Sequence, residues 1–119
     1  MTSGASERRG TSAQHVIVWE FSVRPGEEPV FEGAYGPDGE WARLFALSPE
    51  FRGTELLRSS TTPRRYLTVD RWASGESFQR FHEAHHAEYA ALDAKCERLT
   101  EAEVARDAWT AVDLTRSVR

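Results

Sequence analysis

The sequence predicts an α+β domain, a four-stranded antiparallel sheet with helices packed on one face. Two runs alternate as strands do, "HVIVWEFSV" and "RYLTVDRW". A long stripe from Phe78 to Leu99 repeats at helical spacings of three and four. Each strand run leads into a helical segment, so strand–helix–strand occurs twice within 119 residues, a length that suits one domain with a real core.

Residues 1–13, rich in Ser, Gly, Thr and Arg, read as a disordered leader, and residues 14–119 as one folded domain. The first strand begins at His15. Ile17, Trp19, Phe21 and Val23 share one face, and Val16 and Val18 make the other face apolar too. Pro25-Gly26 turns the chain. Glu27 to Tyr35 is a helix with an acidic first turn, which suits the helix dipole. "GPDG" breaks it, and a short helix from Glu40 to Leu47 carries Trp41, Leu44 and Phe45 on one side. Thr54 to Ser60 and Arg65 to Trp72 form the next two strands around the turn "STTPR". In the second of them Tyr66, Thr68, Asp70 and Trp72 share a face. The long helix starts near Ser74 or Ser77, either of which is a good cap. "TEAEVARDA" reads as a solvated connection. The last strand spans Ala108 to Leu114.

This order, βαββαβ, is the ferredoxin-like arrangement. Helices cover one face of such a sheet. Val16, Val18 and Leu67 make the other face apolar as well, and a second copy covers it most simply, which predicts a homodimer.

A net charge of −4 without a dense basic cluster argues against nucleic acid. No apolar run is long enough to span a membrane, and "MTSGASERRGTSAQ" lacks the apolar core of a secretory signal. One cysteine, Cys96, cannot form an internal disulfide, which points to a reducing, cytoplasmic setting.

"HEAHH", His82 to His86, matches the zinc-peptidase pattern H-E-x-x-H. Such a site needs both histidines on one helical face and a third ligand. At about 100° per residue, His85 falls in the middle of the stripe, His82 at its edge and His86 roughly 80° away. Only Glu97, Glu101 or Glu103 is near enough in sequence to complete the set. The reading adopted is no metal, with His85 as the polar interruption of an apolar stripe.

"HVIVWEFSVRPG", "FEGAYGPDGEWARLF", "GTELLRS", "RRYLTVDRWAS" and "FQRFHEAHHAEYAAL" together resemble the antibiotic biosynthesis monooxygenase family. The resemblance runs from His15 to Leu114. It implies a dimeric α/β barrel, two ferredoxin-like protomers packed sheet to sheet, with a pocket between sheet and helices in each. Some members oxidise aromatic polyketides with molecular oxygen and neither metal nor flavin; others bind and degrade heme. Oxygenase members commonly place an asparagine in the pocket, and this chain has none. Heme degraders use a tryptophan where Phe81 stands, and a ligand histidine near Ala91 or Leu92. Heme is therefore disfavoured and no cofactor is expected.

The expected function is a cofactor-independent monooxygenase acting on a planar aromatic molecule, polyketide- or quinol-like. The alternative is a module of the same fold that binds an aromatic metabolite or heme without turnover. His85 is the candidate general base, and Tyr66 the second catalytic candidate. Trp72 is a flat wall for a planar ring or else core packing at a strand end. Trp41 and Phe45 lie where a lid would sit. Tyr35 offers a phenol to the ligand, and Phe81 and His82 complete the expected substrate wall. Asp70 and Arg71 read as an ion pair or dimer contact.

Overall fold

The computed structural model describes residues 13–112. The expected leader falls almost wholly outside them, as do the last two residues of the expected final strand. The elements are β1 (His15–Val23), α1 (Glu28–Tyr35), α2 (Glu40–Phe45), β2 (Phe51–Arg58), β3 (Arg65–Trp72), α3 (Gly75–Ala84), α4 (His86–Cys96), a single 3-10 turn at Glu97–Leu99, and β4 (Thr100–Thr110). The sheet order is β2-β3-β1-β4 and every pair is antiparallel. This is the ferredoxin-like α+β arrangement, with the helices on one face.

The alternation read in β3 is realised. Tyr66, Thr68, Asp70 and Trp72 are buried, and Leu67, Val69 and Arg71 between them are half-buried. Trp72, 0% exposed, anchors the core. Its ring lies 5.4 Å from Phe45, 5.2 Å from Phe51, 5.3 Å from Phe78 and 5.2 Å from Phe81, measured between centroids. One side chain thus ties α2, β2 and α3 to the end of β3. Ser74 caps α3 in a reciprocal box: the Ser77 amide donates to the Ser74 hydroxyl at 3.1 Å, and the Ser74 amide donates to the Ser77 hydroxyl at 3.0 Å.

Three boundaries differ from the sequence expectation. β2 begins at Phe51 rather than Thr54, because Gly53 (φ 120°) sits at a register shift that lets the strand continue upstream. The expected single helix from Ser74 is two, interrupted at His85 (φ −120°, ψ 33°) without a glycine or proline to signal it. Apart from Cys96, no residue of α4 is fully buried, so that helix is the less anchored half.

The third difference is the largest. "TEAEVARDA", expected to be a connection, is most of β4. Its charged, largely exposed residues hide the strand pattern, but its backbone pairs with β1 from Thr100 to Thr110. The register jumps between Ile17↔Ala108 and Trp19↔Ala105, leaving Arg106 and Asp107 opposite Val18. Asp107 takes φ 79°, a left-handed value that Asp tolerates better than most residues. This bulge resets the parity, so Val104 (opposite Glu20) and Trp109 (opposite Val16) share the face away from the helices.

That outer face is apolar. Val18, Leu57, Leu67 and Trp109 line a broad shallow depression on it, crossed by Glu20, whose carboxylate accepts from Arg65 at 2.8 Å and from Arg106 at 2.9 Å. Val104 is 41% and Trp109 56% exposed. Among the described residues no helix is long and apolar enough to cross a membrane.

Trp72→Ala is expected to destabilise the fold by about 3–5 kcal/mol, and Ser74→Ala by about 1 kcal/mol. Urea denaturation followed by far-UV circular dichroism measures both.

Candidate functional site

A cavity of about 150 Å³ lies between the inner face of the sheet and the helices. Trp19 and Phe21 reach it from β1, Tyr35 from the end of α1, Trp41 and Phe45 from α2, and Tyr89 from α4. Thr54, Thr68, Asp70, Asp93 and Glu103 add polar groups. The aromatic walls are mutually packed: Tyr89 meets the Trp41 ring edge-on at 5.0 Å, and Trp41 lies 5.7 Å from Phe45 and 6.0 Å from Tyr35.

The placement of α2 follows from Gly39. A Cβ at that position would collide with the backbone carbonyls of Gly33 and Ala34, so only glycine lets α2 start this close to the last turn of α1. Trp41 and Phe45 are buried and form one wall of the cavity.

Asp70 is the chemically distinctive group. It is 9% exposed and opens onto the cavity from the middle of the sheet. The Thr54 hydroxyl donates to its Oδ1 at 2.6 Å. Burial pushes its pKa up to about 6, with the Thr54 hydrogen bond pulling the other way. Burial also raises the Tyr89 and Tyr35 phenols above their usual range. The Glu103 carboxyl, on the exposed edge strand, is raised by partial desolvation and then by Asp93 and Glu97.

Of the residues expected at the site, Tyr35, Trp41 and Phe45 line this cavity. The others lie elsewhere. Tyr66 faces α1, where its hydroxyl donates to Glu32 Oε2 at 2.6 Å and its ring packs 4.9 Å from Phe31. Trp72 and Phe81 are in the core beyond Phe45. His82 lies in a shallow outer groove with Ile17, Phe78, Trp19 and Tyr89, its ring 4.6 Å from Tyr89. His85 caps the break between α3 and α4 and borders a separate depression with Pro49, Glu50 and Arg80. Its Nδ1 is buried without a hydrogen bond, 3.6 Å from Glu88 Oε2. Its ring packs 5.0 Å from the core residue Phe81, away from the cavity lining.

The sequence pattern does not point to Asp70, Thr54, Thr68, Trp19, Tyr89 or Asp93 as site residues, and it offers Glu103 only as a conceivable metal ligand. The shared face of Tyr66, Thr68, Asp70 and Trp72 was the available signal for Asp70, since an acid on a buried strand face demands an explanation. Rather than forming an ion pair with its neighbour, Asp70 bonds Thr54, while Arg71 reaches Glu55 at 3.4 Å.

His82 and His86 have ring centroids 6.2 Å apart, and among the described residues no three His, Cys, Asp or Glu side chains are grouped to hold a metal ion. Heme does not fit the cavity. The volume suits a single benzene-sized ring, and no histidine lines it.

A sheet of this order with its helices on one face and an aromatic cavity beneath them defines a small α+β protein of ferredoxin-like fold. The sequence model for antibiotic biosynthesis monooxygenases matches residues 15–92, and the chain belongs to that family. Among solved structures it is similar to SnoaB of Streptomyces nogalater, a cofactor-independent oxygenase, at 24% identity over 85% of this chain and 95% of that one, with a TM-score of 0.58. A protein from Bordetella bronchiseptica named for the same family aligns at 19% identity over 85% and 99% of the two chains, TM-score 0.66. A protein from Shewanella oneidensis aligns at 20% over 83% and 91%, TM-score 0.62. No match is found among curated proteins.

Asp70 sets a pH test. Its folded pKa, about 6, lies above the ordinary 3.8 of the unfolded chain. Its contribution to stability is therefore fullest below about pH 4 and is lost as pH rises through about 6. The loss by pH 7 is roughly 3 kcal/mol. Asp70→Asn is expected to gain stability relative to the parent across this window, as read by urea midpoints at pH 4 and pH 7.

Proposed function

We propose that this protein is a cofactor-independent monooxygenase acting on a planar aromatic molecule, with Asp70 as the general base. The observation that carries the reading is a nine-tenths-buried carboxylate, held on one oxygen by Thr54, inside a cavity walled by aromatic rings. A base poised near pH 6 is ionised at neutral pH and strong enough to share a phenolic or doubly benzylic proton. Family membership and the likeness to a cofactor-independent oxygenase support the same chemistry.

The proposed reaction needs only the substrate and oxygen. Asp70 removes a proton from an activated ring methylene, or from the hydroxyl of its phenol tautomer, leaving the same delocalised anion. The anion passes one electron to oxygen, and the resulting radical pair combines through a new C–O bond to a peroxide anion. Asp70 returns the proton, giving a hydroperoxide. Loss of the remaining C–H proton with hydroxide, as water, then leaves a ketone. Overall CH2 and O2 become C=O and H2O, and the oxidised carbon supplies every electron that oxygen accepts. The cavity contributes exclusion of water and orientation. Its volume seats one ring, so a larger polycycle would leave its other rings at the mouth.

The rival is binding without turnover, favoured by the absence of asparagine from the whole chain. Oxygen uptake decides between the two. With a bound hydroxyaryl compound, uptake is expected to rise with pH through about 6, and Asp70→Asn is expected to lower the rate by about 10²–10⁴-fold while ligand still binds. Binding by the parent with no uptake would leave the rival reading.

The same proposal includes a homodimer packed through the outer sheet face. Val104 and Trp109 are among its exposed apolar residues, and Glu20 with its two arginines supplies a polar centre. Burying a side chain of this size stabilises by about 1.5–3 kcal/mol. Trp109→Ala, counted once in each copy, is therefore expected to weaken dimerisation by at least about tenfold, as measured by sedimentation equilibrium.

A further inference from the structure

The charge of the cavity narrows what it binds. Asp70, Asp93 and Glu103 border it, and among the described residues no basic side chain does. Several cations of the described residues are paired away from it: Lys95 with Glu40, Arg58 with Glu32, Arg98 with Glu27, and, on the outer face of the sheet, Arg65 and Arg106 with Glu20. Among the described residues none of the three acids has an ion-pair partner. Asp70 is nine-tenths buried, and its Oδ1 accepts from the Thr54 hydroxyl. The three carboxylates are not grouped tightly enough for a metal ion. The remaining wall is aromatic, and aromatic faces attract organic cations.

We propose that the ligand is an arylalkylamine, bound as its cation: a single ring stacked among Trp19, Trp41 and Tyr89, with the protonated nitrogen on its side arm turned to Asp93 and Glu103. This rests on the cavity being the ligand site and deepens the reading above by naming the substrate class. Two carboxylates at the rim can each accept from one of the three N–H donors of an ammonium on a flexible arm. They oppose an anionic ligand directly, because like charges in a partly desolvated site repel strongly. With the ammonium held at Asp93 and Glu103, Asp70 remains free to act on the ring.

Three probes that differ only in the terminal group test the proposal by isothermal titration calorimetry: tyramine, its neutral alcohol analogue tyrosol, and para-hydroxyphenylacetate. Tyramine is expected to bind about tenfold more tightly than tyrosol at low salt, with the acid weakest, and the advantage is expected to shrink as salt is added. Asp93 and Glu103 are exposed, so Asp93→Asn/Glu103→Gln should fold normally, which circular dichroism checks. In that double variant the preference for tyramine is expected to fall below about twofold. The proposal is overturned if the acid binds as tightly as the amine, if the double variant keeps the preference, or if none of the three binds at millimolar concentration. Oxygen uptake on a neutral phenol without any amine preference would sink this inference and leave the monooxygenase reading standing. Amine-selective binding without uptake would do the reverse.

Discussion

The structure hangs on the Trp72 ring. It stands at the last residue of β3, where the strand gives way to the turn before α3, and rings from α2, the start of β2 and α3 close around it. Aromatic groups in such contact gain from both burial and edge-to-face geometry. Because Phe45 belongs to this cluster and also lines the cavity, the packing that fixes the end of the sheet also fixes one wall of the site. The cavity is thus a gap in a stiff aromatic core, and its shape is inherited from residues that never touch a ligand.

Within that gap the protein holds Asp70 in a costly state. A carboxylate on the buried face of a central strand loses solvation, and one threonine hydroxyl restores only part of it. A structural role would be served as well by a neutral side chain of similar size. Retaining ionisable chemistry there, facing empty space and aromatic rings, is the arrangement expected where a proton must move.

Much of the fold was legible because β1, β3 and α3 carry strong periodicities, and the sheet order followed from their succession. The site was less so. Tyr35, Trp41 and Phe45 could be placed because aromatic residues on short helices next to a sheet have few places to go. His85 misled: its position in the three-and-four stripe is correct for a continuous helix, but the backbone breaks at that very residue. β4 was obscured for a different reason. As an exposed edge strand it carries charges on both sides, so its identity resides in backbone pairing with β1, which no side-chain pattern reports. Glu103 belongs to that strand, so its place beside the cavity follows only from the pairing of β4 with β1.

The bulge at Arg106 and Asp107 works as a frame correction in β4. Upstream of it the strand contributes Glu103 to the helix side of the sheet; downstream it sends Trp109 to the opposite side. One extra residue therefore decouples the two halves of the strand. The half that borders the cavity can drift in sequence to suit a new ligand without disturbing which side chains the far half offers to another surface. Removing that residue would exchange the faces of everything after it, so this single position governs a division of labour that substitutions elsewhere in the strand leave intact.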